Sequence, residues 1–291
     1  MPRVEFSYVD SALSHMEEGG PPPFWRHFHW GLFDDPSVPD DSPERYFAAA
    51  EAMTDRILDV AGVGAGRRIL DVGCGFGGTL DHIRSQYDGC LLTGINIDLR
   101  QLRWAHRLLT ERDGSGPPVA PVAFVTADGC RLPVADGSLD HVLAVECVFH
   151  FTSRRAFLRE AARVLRPGGT VALSDFLMAP GALVRVATAM ASTGVGEQGW
   201  YGYVAKPLTS VGYARLARSA GFDVLVDDDV TAATLPTYPA LRRLGEGSGS
   251  PDGTDTTDAV EALAAVGDLQ YHVLAFRRRA DPGPADRVAG G

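Results

Sequence analysis

The feature that most limits the folds open to this chain is the run Asp71-Val72-Gly73-Cys74-Gly75-Phe76-Gly77-Gly78. It completes Arg68-Ile69-Leu70-Asp71-Val72, which reads as a short buried strand ending at Gly73, and it opens a helical pattern from Gly78 to Gln86. Strand, glycine turn and helix in that order start a βα unit. Glycines at 73, 75 and 77 permit a tight turn and a close approach of the backbone to a ligand. Dinucleotide enzymes space these glycines GxGxxG and aim a helix N-terminus at a pyrophosphate. Here the spacing is GxGxG followed by Gly78, which does not match that fingerprint.

The rhythm continues on both sides. Ser42-Pro43-Glu44 is a helix start, with a capping hydroxyl and proline in the first turn, and the helix runs to about Ala61. Strands are expected at Leu91–Asn96, Val122–Thr126, Leu139–Val145 and Thr170–Ser174, with helices at Leu99–Arg112 and Arg154–Leu165. Arg166-Pro167-Gly168-Gly169 closes the last of these helices. Beyond an insert with weak patterning, helix Ser210–Ala220 and strands Phe222–Asp227 and Leu269–Arg277 resume the alternation. Short helical pieces are expected at Tyr238–Leu244 and Ala259–Val266. Strands alternating with helices imply βαβ units and a parallel sheet, an α/β fold.

Four segments follow. Residues 1–41 form an arm rich in proline and aromatics; Pro21-Pro22-Pro23 stops any upstream helix, and the aromatic run Phe24 to Phe33 either packs on the core or closes over a pocket. Residues 42–279 form the main domain, with a cap insert around 177–207 and a flexible loop around 245–257. The tail 280–291 is expected to be disordered.

Composition narrows the function classes. The chain has 291 residues, 45% hydrophobic and 22% charged, a globular balance. A formal charge of -10 opposes nucleic-acid binding, which calls for a basic field. No apolar run approaches the ~20 residues of a membrane span, and no apolar signal core follows Met1, so a cytoplasmic location is expected. Cys74, Cys90, Cys130 and Cys147 are widely and irregularly spaced, as reduced thiols would be. No metal site is expected, because no ligand spacing defines one. Oligomeric state stays open, with a homodimer as one option.

The run Asp71–Gly78 resembles the first motif of class I, Rossmann-like, S-adenosylmethionine-dependent methyltransferases, and later motifs follow in that family's order. Asn96 ends the second strand, where the family places an acidic residue on the ribose hydroxyls; Asp98 lies two residues on. Ala127-Asp128-Gly129 matches the stretch whose Asp meets the adenine amine. Arg166-Pro167-Gly168-Gly169 before strand five is also typical. The resemblance covers roughly residues 45 to 175 and implies a mostly parallel seven-stranded sheet flanked by helices. Within the family, Phe28-His29-Trp30-Gly31-Leu32-Phe33, Gly94-Ile95-Asn96-Ile97 with Gln101, Glu146-Cys147-Val148-Phe149-His150-Phe151 and Tyr271-His272-Val273-Leu274-Ala275-Phe276 resemble a small-molecule branch. That branch includes antibiotic-sugar O-methyltransferases, sarcosine and dimethylglycine N-methyltransferases and tocopherol C-methyltransferases.

The resemblance implies S-adenosylmethionine as cofactor and a small-molecule acceptor. The donor-binding set it implies is Asp71, Gly73, Cys74, Gly75, Asn96, Ile97, Gln101, Ala127, Asp128, Gly129 and Glu146. Asp71 either positions the donor's ammonium or braces the glycine loop. His150 is the candidate base, since an imidazole takes a proton near neutral pH; its other reading is a capping or core-edge histidine. In the related sugar O-methyltransferases a histidine after strand four and an aspartate after strand five are implicated as an acid–base pair, and His150 and Asp175 match those positions. Glu146 completes the catalytic candidates. His29, Trp30, Phe149, Trp200 and Tyr203 are acceptor-pocket candidates, with ordinary packing as the alternative. The leading expectation is methylation of a secondary-metabolite hydroxyl. The alternatives are N-methylation of a small amine, C-methylation of an isoprenoid or aromatic, and a nucleotide-binding module without catalysis.

Overall fold

The computed structural model describes residues 6–17, 27, 29–110, 122–193, 203–245 and 251–280, without the side chains of residues 15, 193, 244, 245 and 251–255. Seven strands form one sheet: β1 (Arg68–Val72), β2 (Leu91–Asn96), β3 (Val122–Thr126), β4 (Leu139–Ala144), β5 (Leu165–Met178), β6 (Phe222–Asp229) and β7 (Leu269–Arg278). Their order is β3-β2-β1-β4-β5-β7-β6, parallel except for β7, which runs antiparallel to both β5 and β6. This is the class I methyltransferase arrangement of a Rossmann-like sheet. Strand order reverses between β1 and β4, and ligands of such sheets bind at the carboxyl ends of the strands flanking that point.

Helices cover both faces because β1 and β4 are buried on both sides. On one face, Met53, Ile57 and Leu58 of α2 (Pro43–Ala61) pack with Leu80 and Ile83 of α3 (Gly78–Gln86) and Leu102 of α4 (Leu99–Thr110). On the other, Phe157, Leu158 and Ala161 of α5 (Arg154–Val164) meet Tyr213 and Ala217 of α7 (Ser210–Ser219). Local chemistry sets the helix starts. Ser42 accepts the Arg45 N–H with Pro43 in the first turn of α2, and Ser153 and Thr209 cap α5 and α7 in the same way.

Four expectations change. The arm holds a helix, α1 (Ser7–Glu17), whose Val9, Leu13 and Met16, with Phe6 just before it, form a buried stripe at helical spacing. The fifth strand is longer than Thr170–Ser174: it begins at Leu165, where a register shift opposite Leu139 absorbs the Arg-Pro-Gly-Gly turn, and continues to Met178 against β7. Inside the insert, residues Leu183–Thr193 form α6. The segment 251–257, expected as flexible loop, belongs to α10 (Pro251–Ala265), with proline at the first helical position. Two further short helices, α8 (Thr231–Thr234) and α9 (Thr237–Gly245), lead into it. Trp200, Phe24, Trp25, Phe28 and the tail from 281 onward lie outside the described residues.

Candidate active site

The glycine turn after β1 is shaped by its neighbours. Gly73 sits at φ 73°, and a Cβ there would lie 2.6 Å from Cys147 Cβ and 2.8 Å from its sulfur. Only glycine fits both the backbone and the space. The Gly73 and Cys74 amides both donate to Ile95 O, at 2.8 and 3.0 Å, tying the turn to β2. The Cys147 thiol donates to Val72 O at 3.0 Å, so the segment after β4 rests directly against this turn. Cys74 turns its thiol into the core beneath Gly94, where a Cβ on Gly94 would meet it at 2.8 Å. Gly75, at φ 53°, leaves open space whose nearest side-chain atom is Gln101 Nε2, 4.0 Å from a Cβ placed there.

The ends of β2 and β3 close the far side. Asn96 Nδ2 donates to Gln101 Oε1 at 3.0 Å, and Asn96 Oδ1 accepts the Asp98 amide at 3.1 Å. Asp98 is grasped by the Arg100 guanidinium, which also reaches Asp10 of α1 at 2.7 Å. Asp98 is therefore part of a clasp on α1. Ile97 packs with Phe76 under the stripe of α1. Ala127 N donates to Asn96 O at 3.0 Å; Asp128 Oδ1 accepts the Cys130 amide at 2.8 Å. At Gly129 a Cβ would strike the Phe151 ring at 2.7 Å. The sequence-derived donor residues thus gather at the carboxyl ends of β1 to β4, with α1 packed over Phe76 and Ile97.

Three carboxyls stand at this end of the sheet. Asp71 is buried with Oδ2 unpartnered, and burial pushes it up to about 8. Glu146 is the one non-glycine residue at positive φ (53°) among the described residues. Its Oε2 accepts from the Tyr271 hydroxyl, whose oxygen in turn accepts from the Ser174 hydroxyl at 2.9 Å, and the Glu146 amide donates to Ser174 Oγ at 3.0 Å. Its Oε1 is buried without a partner, and burial lifts the carboxyl to about 8 against the opposing bond from Tyr271. Asp175 differs: Arg154 binds it in a bidentate fork, Nε to Oδ2 at 2.6 Å and NH2 to Oδ1 at 2.9 Å, wholly inside the protein.

That fork corrects the expected His150–Asp175 pair. His150, in the short 3-10 turn Val148–His150, directs Nδ1 at Tyr203 O, 2.9 Å away. Its ring lies against Phe149, Phe6 and Tyr8, with centroids at 4.4, 4.9 and 6.3 Å. Burial lowers it to about 4. A carbonyl can only accept, so Nδ1 carries the proton and Nε2 the lone pair. The orienting group is a backbone carbonyl of the returning insert and not the aspartate.

The pocket candidates divide. Phe149 packs on Phe176 with ring centroids 5.6 Å apart, and its carbonyl accepts the Ala205 amide at 2.7 Å. Tyr203 lends His150 its carbonyl while its side chain is exposed. Trp30 joins Phe176, Tyr238 and Tyr271 in an aromatic cluster next to Glu146, with its Nε1 buried and unpartnered. His29 belongs to a buried network: Nδ1 donates to Trp30 O at 3.1 Å, and Nε2 lies 3.1 Å from both His27 Nδ1 and Thr54 Oγ1. Burial lowers it to about 4, and it holds the arm in place. Sequence reasoning missed Tyr271 as a polar partner and Arg154 as the Asp175 partner. Tyr271 shares one face of β7 with buried Val273 and Ala275.

Comparisons with known proteins agree with this fold. A methyltransferase-domain family model matches residues 70–173. The methyltransferase GfsG of Streptomyces halstedii is 36% identical over 220 residues, 75% of this chain and 73% of the relative. The 27-O-demethylrifamycin SV methyltransferase of Amycolatopsis mediterranei is 34% identical over 221 residues, 76% and 75% respectively. A solved structure described as a sarcosine dimethylglycine methyltransferase from Galdieria sulphuraria shares the fold at a TM-score of 0.74 and 18% identity, covering 93% of this chain and 98% of that one. The chain belongs to the class I S-adenosylmethionine-dependent methyltransferases. It is an enzyme of that class, and S-adenosylmethionine is its cofactor.

Proposed function

We propose that the enzyme methylates a hydroxyl of a small secondary metabolite, with His150 as the base. The observation that carries this is the fixed tautomer: Nδ1–H donates to Tyr203 O, which leaves Nε2 as a neutral acceptor. The named substrate of the rifamycin relative, a demethylated oxygen, supports a hydroxyl acceptor.

The donor residues fit their ligand. The open space at Gly75, the orphan oxygen of Asp71 and the Asn96–Gln101 pair offer an uncrowded backbone, an anion for an ammonium and amides for hydroxyls. S-adenosylmethionine supplies a methyl on a sulfonium, open to in-line attack by the acceptor oxygen. The protein aligns the reactants and excludes water. Helix α1 does the latter, laying Phe6 and Tyr8 over His150 and Val9 and Leu13 over Phe76. Asp175 acts at one remove: it anchors Arg154, whose NH1 donates to Lys206 O at 3.1 Å and so holds the segment that presents Tyr203 O.

Turnover against pH for wild type and His150→Ala, with an alcohol acceptor identified from a panel, tests this. The variant is expected to lose ~10²–10⁴-fold in turnover while adenosylhomocysteine binding stays unchanged. Wild-type turnover by His150→Ala would end the assignment.

A further inference from the structure

The charge count of the crevice is unbalanced. Asp175 has Arg154, but among the described residues no ion pair reaches Asp71 or Glu146, and each keeps one buried oxygen without a partner. The groups facing Glu146 are hydroxyls or acids: Tyr271 from β7, Tyr46 from α2, Asp175 from β5 and the neighbouring Cys147. The Tyr271 hydroxyl is bonded to the carboxyl, and the arm adds the Trp30 backbone N–H. Nothing there supplies a positive charge. Glu146 follows the carboxyl end of β4, beside the point where strand order reverses, and Cys147, next in the chain, touches the Gly73 turn.

We infer that Glu146 is a proton-linked sensor of the donor's sulfonium: it gives up its proton when S-adenosylmethionine binds and holds one again when the uncharged thioether of the product takes that place. This rests on the donor site proposed above and concerns what that site distinguishes. The donor carries two cations, an α-ammonium and a sulfonium; adenosylhomocysteine keeps only the ammonium. The ammonium fits Asp71 in both ligands. Only the sulfonium can compensate Glu146. Burial without a cation pushes the carboxyl up and favours its protonated form in the free protein, and a cation against the orphan oxygen releases that proton.

The transfer step then balances. The acceptor oxygen bonds to the methyl carbon as the sulfur–methyl bond breaks, and that electron pair stays on sulfur. The acceptor's O–H proton goes first to His150 Nε2. A base held near 4 passes it on to solvent, and the Glu146 carboxylate, no longer facing a cation, takes up a proton in its turn. Loss of positive charge on sulfur is thus matched by loss of negative charge on Glu146.

Calorimetry of the full chain at pH 7, in buffers of different ionisation enthalpy, reads the proton count directly. S-adenosylmethionine should release close to one proton more than adenosylhomocysteine; protons tied to Asp71 appear with both and cancel. Its affinity relative to adenosylhomocysteine should rise by up to about tenfold per pH unit between roughly pH 6 and 8. Sinefungin, with an amine at the sulfonium position, should follow the donor. Glu146→Gln should abolish the difference. Tyr271→Phe removes the bond that favours the ionised form, so it should keep the extra proton and move the window to higher pH. Equal proton release by donor and product in wild type, or a difference that survives in Glu146→Gln, overturns the inference and leaves the donor site standing. Failure of wild type to bind either nucleoside overturns the donor site and the inference with it.

Discussion

Breaking the Arg154–Asp175 fork separates its structural role from the acid–base role that its position first implies. Arg154→Met leaves a fully buried carboxylate without its two charge-assisted bonds. Removing one partner of a buried pair typically costs ~3–5 kcal/mol. Asp175→Asn keeps the shape but strands a buried guanidinium, and a similar loss is expected. The double variant holds a methionine against an amide, with no unpaired charge, and should recover at least about 2 kcal/mol relative to the sum of the singles. Urea denaturation of all four proteins measures this cycle. Turnover, taken well below each midpoint, supplies the second axis: Asp175→Asn should keep the wild-type pH profile, because His150 takes its orientation from Tyr203 O. Destabilisation below ~1 kcal/mol together with a hundredfold fall in turnover and an altered acid limb would refute this reasoning and restore the direct His150–Asp175 pair.

Gly73→Ala should destabilise the protein by about 2–4 kcal/mol, from the positive φ and the Cys147 overlap, and weaken adenosylhomocysteine binding; thermal melting with calorimetry checks both. His29 has a folded value near 4 against 6.5 unfolded, so its neutral form contributes stability that is present above pH 6.5 and lost as pH falls towards 4. His29→Gln should flatten that acid slope in pH-dependent melting. Asp71 runs the other way: raised to about 8, it contributes stability that is full below its unfolded value near 4 and gone above pH 8. Asp71→Asn should therefore raise the melting point of the donor-free protein at pH 8 and leave it nearly unchanged at pH 4. Asp10→Ala removes a half-exposed ion pair worth less than ~1 kcal/mol, whereas Leu13→Ala opens the apolar seat of α1; hydrogen exchange in α1 and donor dissociation should accelerate only in the second.

What was legible in the sequence was whatever depends on local pattern. Leu70, Val72, Val142 and Leu143 are apolar runs between turn residues, and each sits in a strand buried on both faces. The donor turn was legible because glycine at 73 has no substitute there. Helix α1 carried its stripe at 6, 9, 13 and 16 in plain view, but the prolines at 21–23 drew attention to where a helix must stop and away from where one starts. The pairing of Asp175 was not legible. A carboxylate at a strand end has several cations within sequence reach, and the choice of Arg154 is made by the first turn of α5 packing under β5, a tertiary event that leaves no periodic trace. The same holds for Tyr271 and Glu146, which are 125 positions apart and meet only because β7 is antiparallel beside β5.

The contrast between these acids explains why the fold keeps two of them unpaired. A carboxyl already bound to arginine gives a cationic ligand nothing, since the bond to be gained is spent. A carboxyl left in a dry crevice without a cation is costly in its charged form and so waits protonated. Asp71 and Glu146 are in that condition, and Asp175 is not. Closing α1 over the crevice lowers the local dielectric, which raises the cost of an unpaired charge and strengthens a paired one together. The roof therefore sharpens the distinction between a charged donor and an uncharged product at the same atom. A methyltransferase must release its product in the presence of a donor that differs from it by one methyl and one charge. A methyl is worth only about 1 kcal/mol in an apolar pocket, so the charge is the larger handle, and the buried carboxyl of Glu146 is placed to grip it.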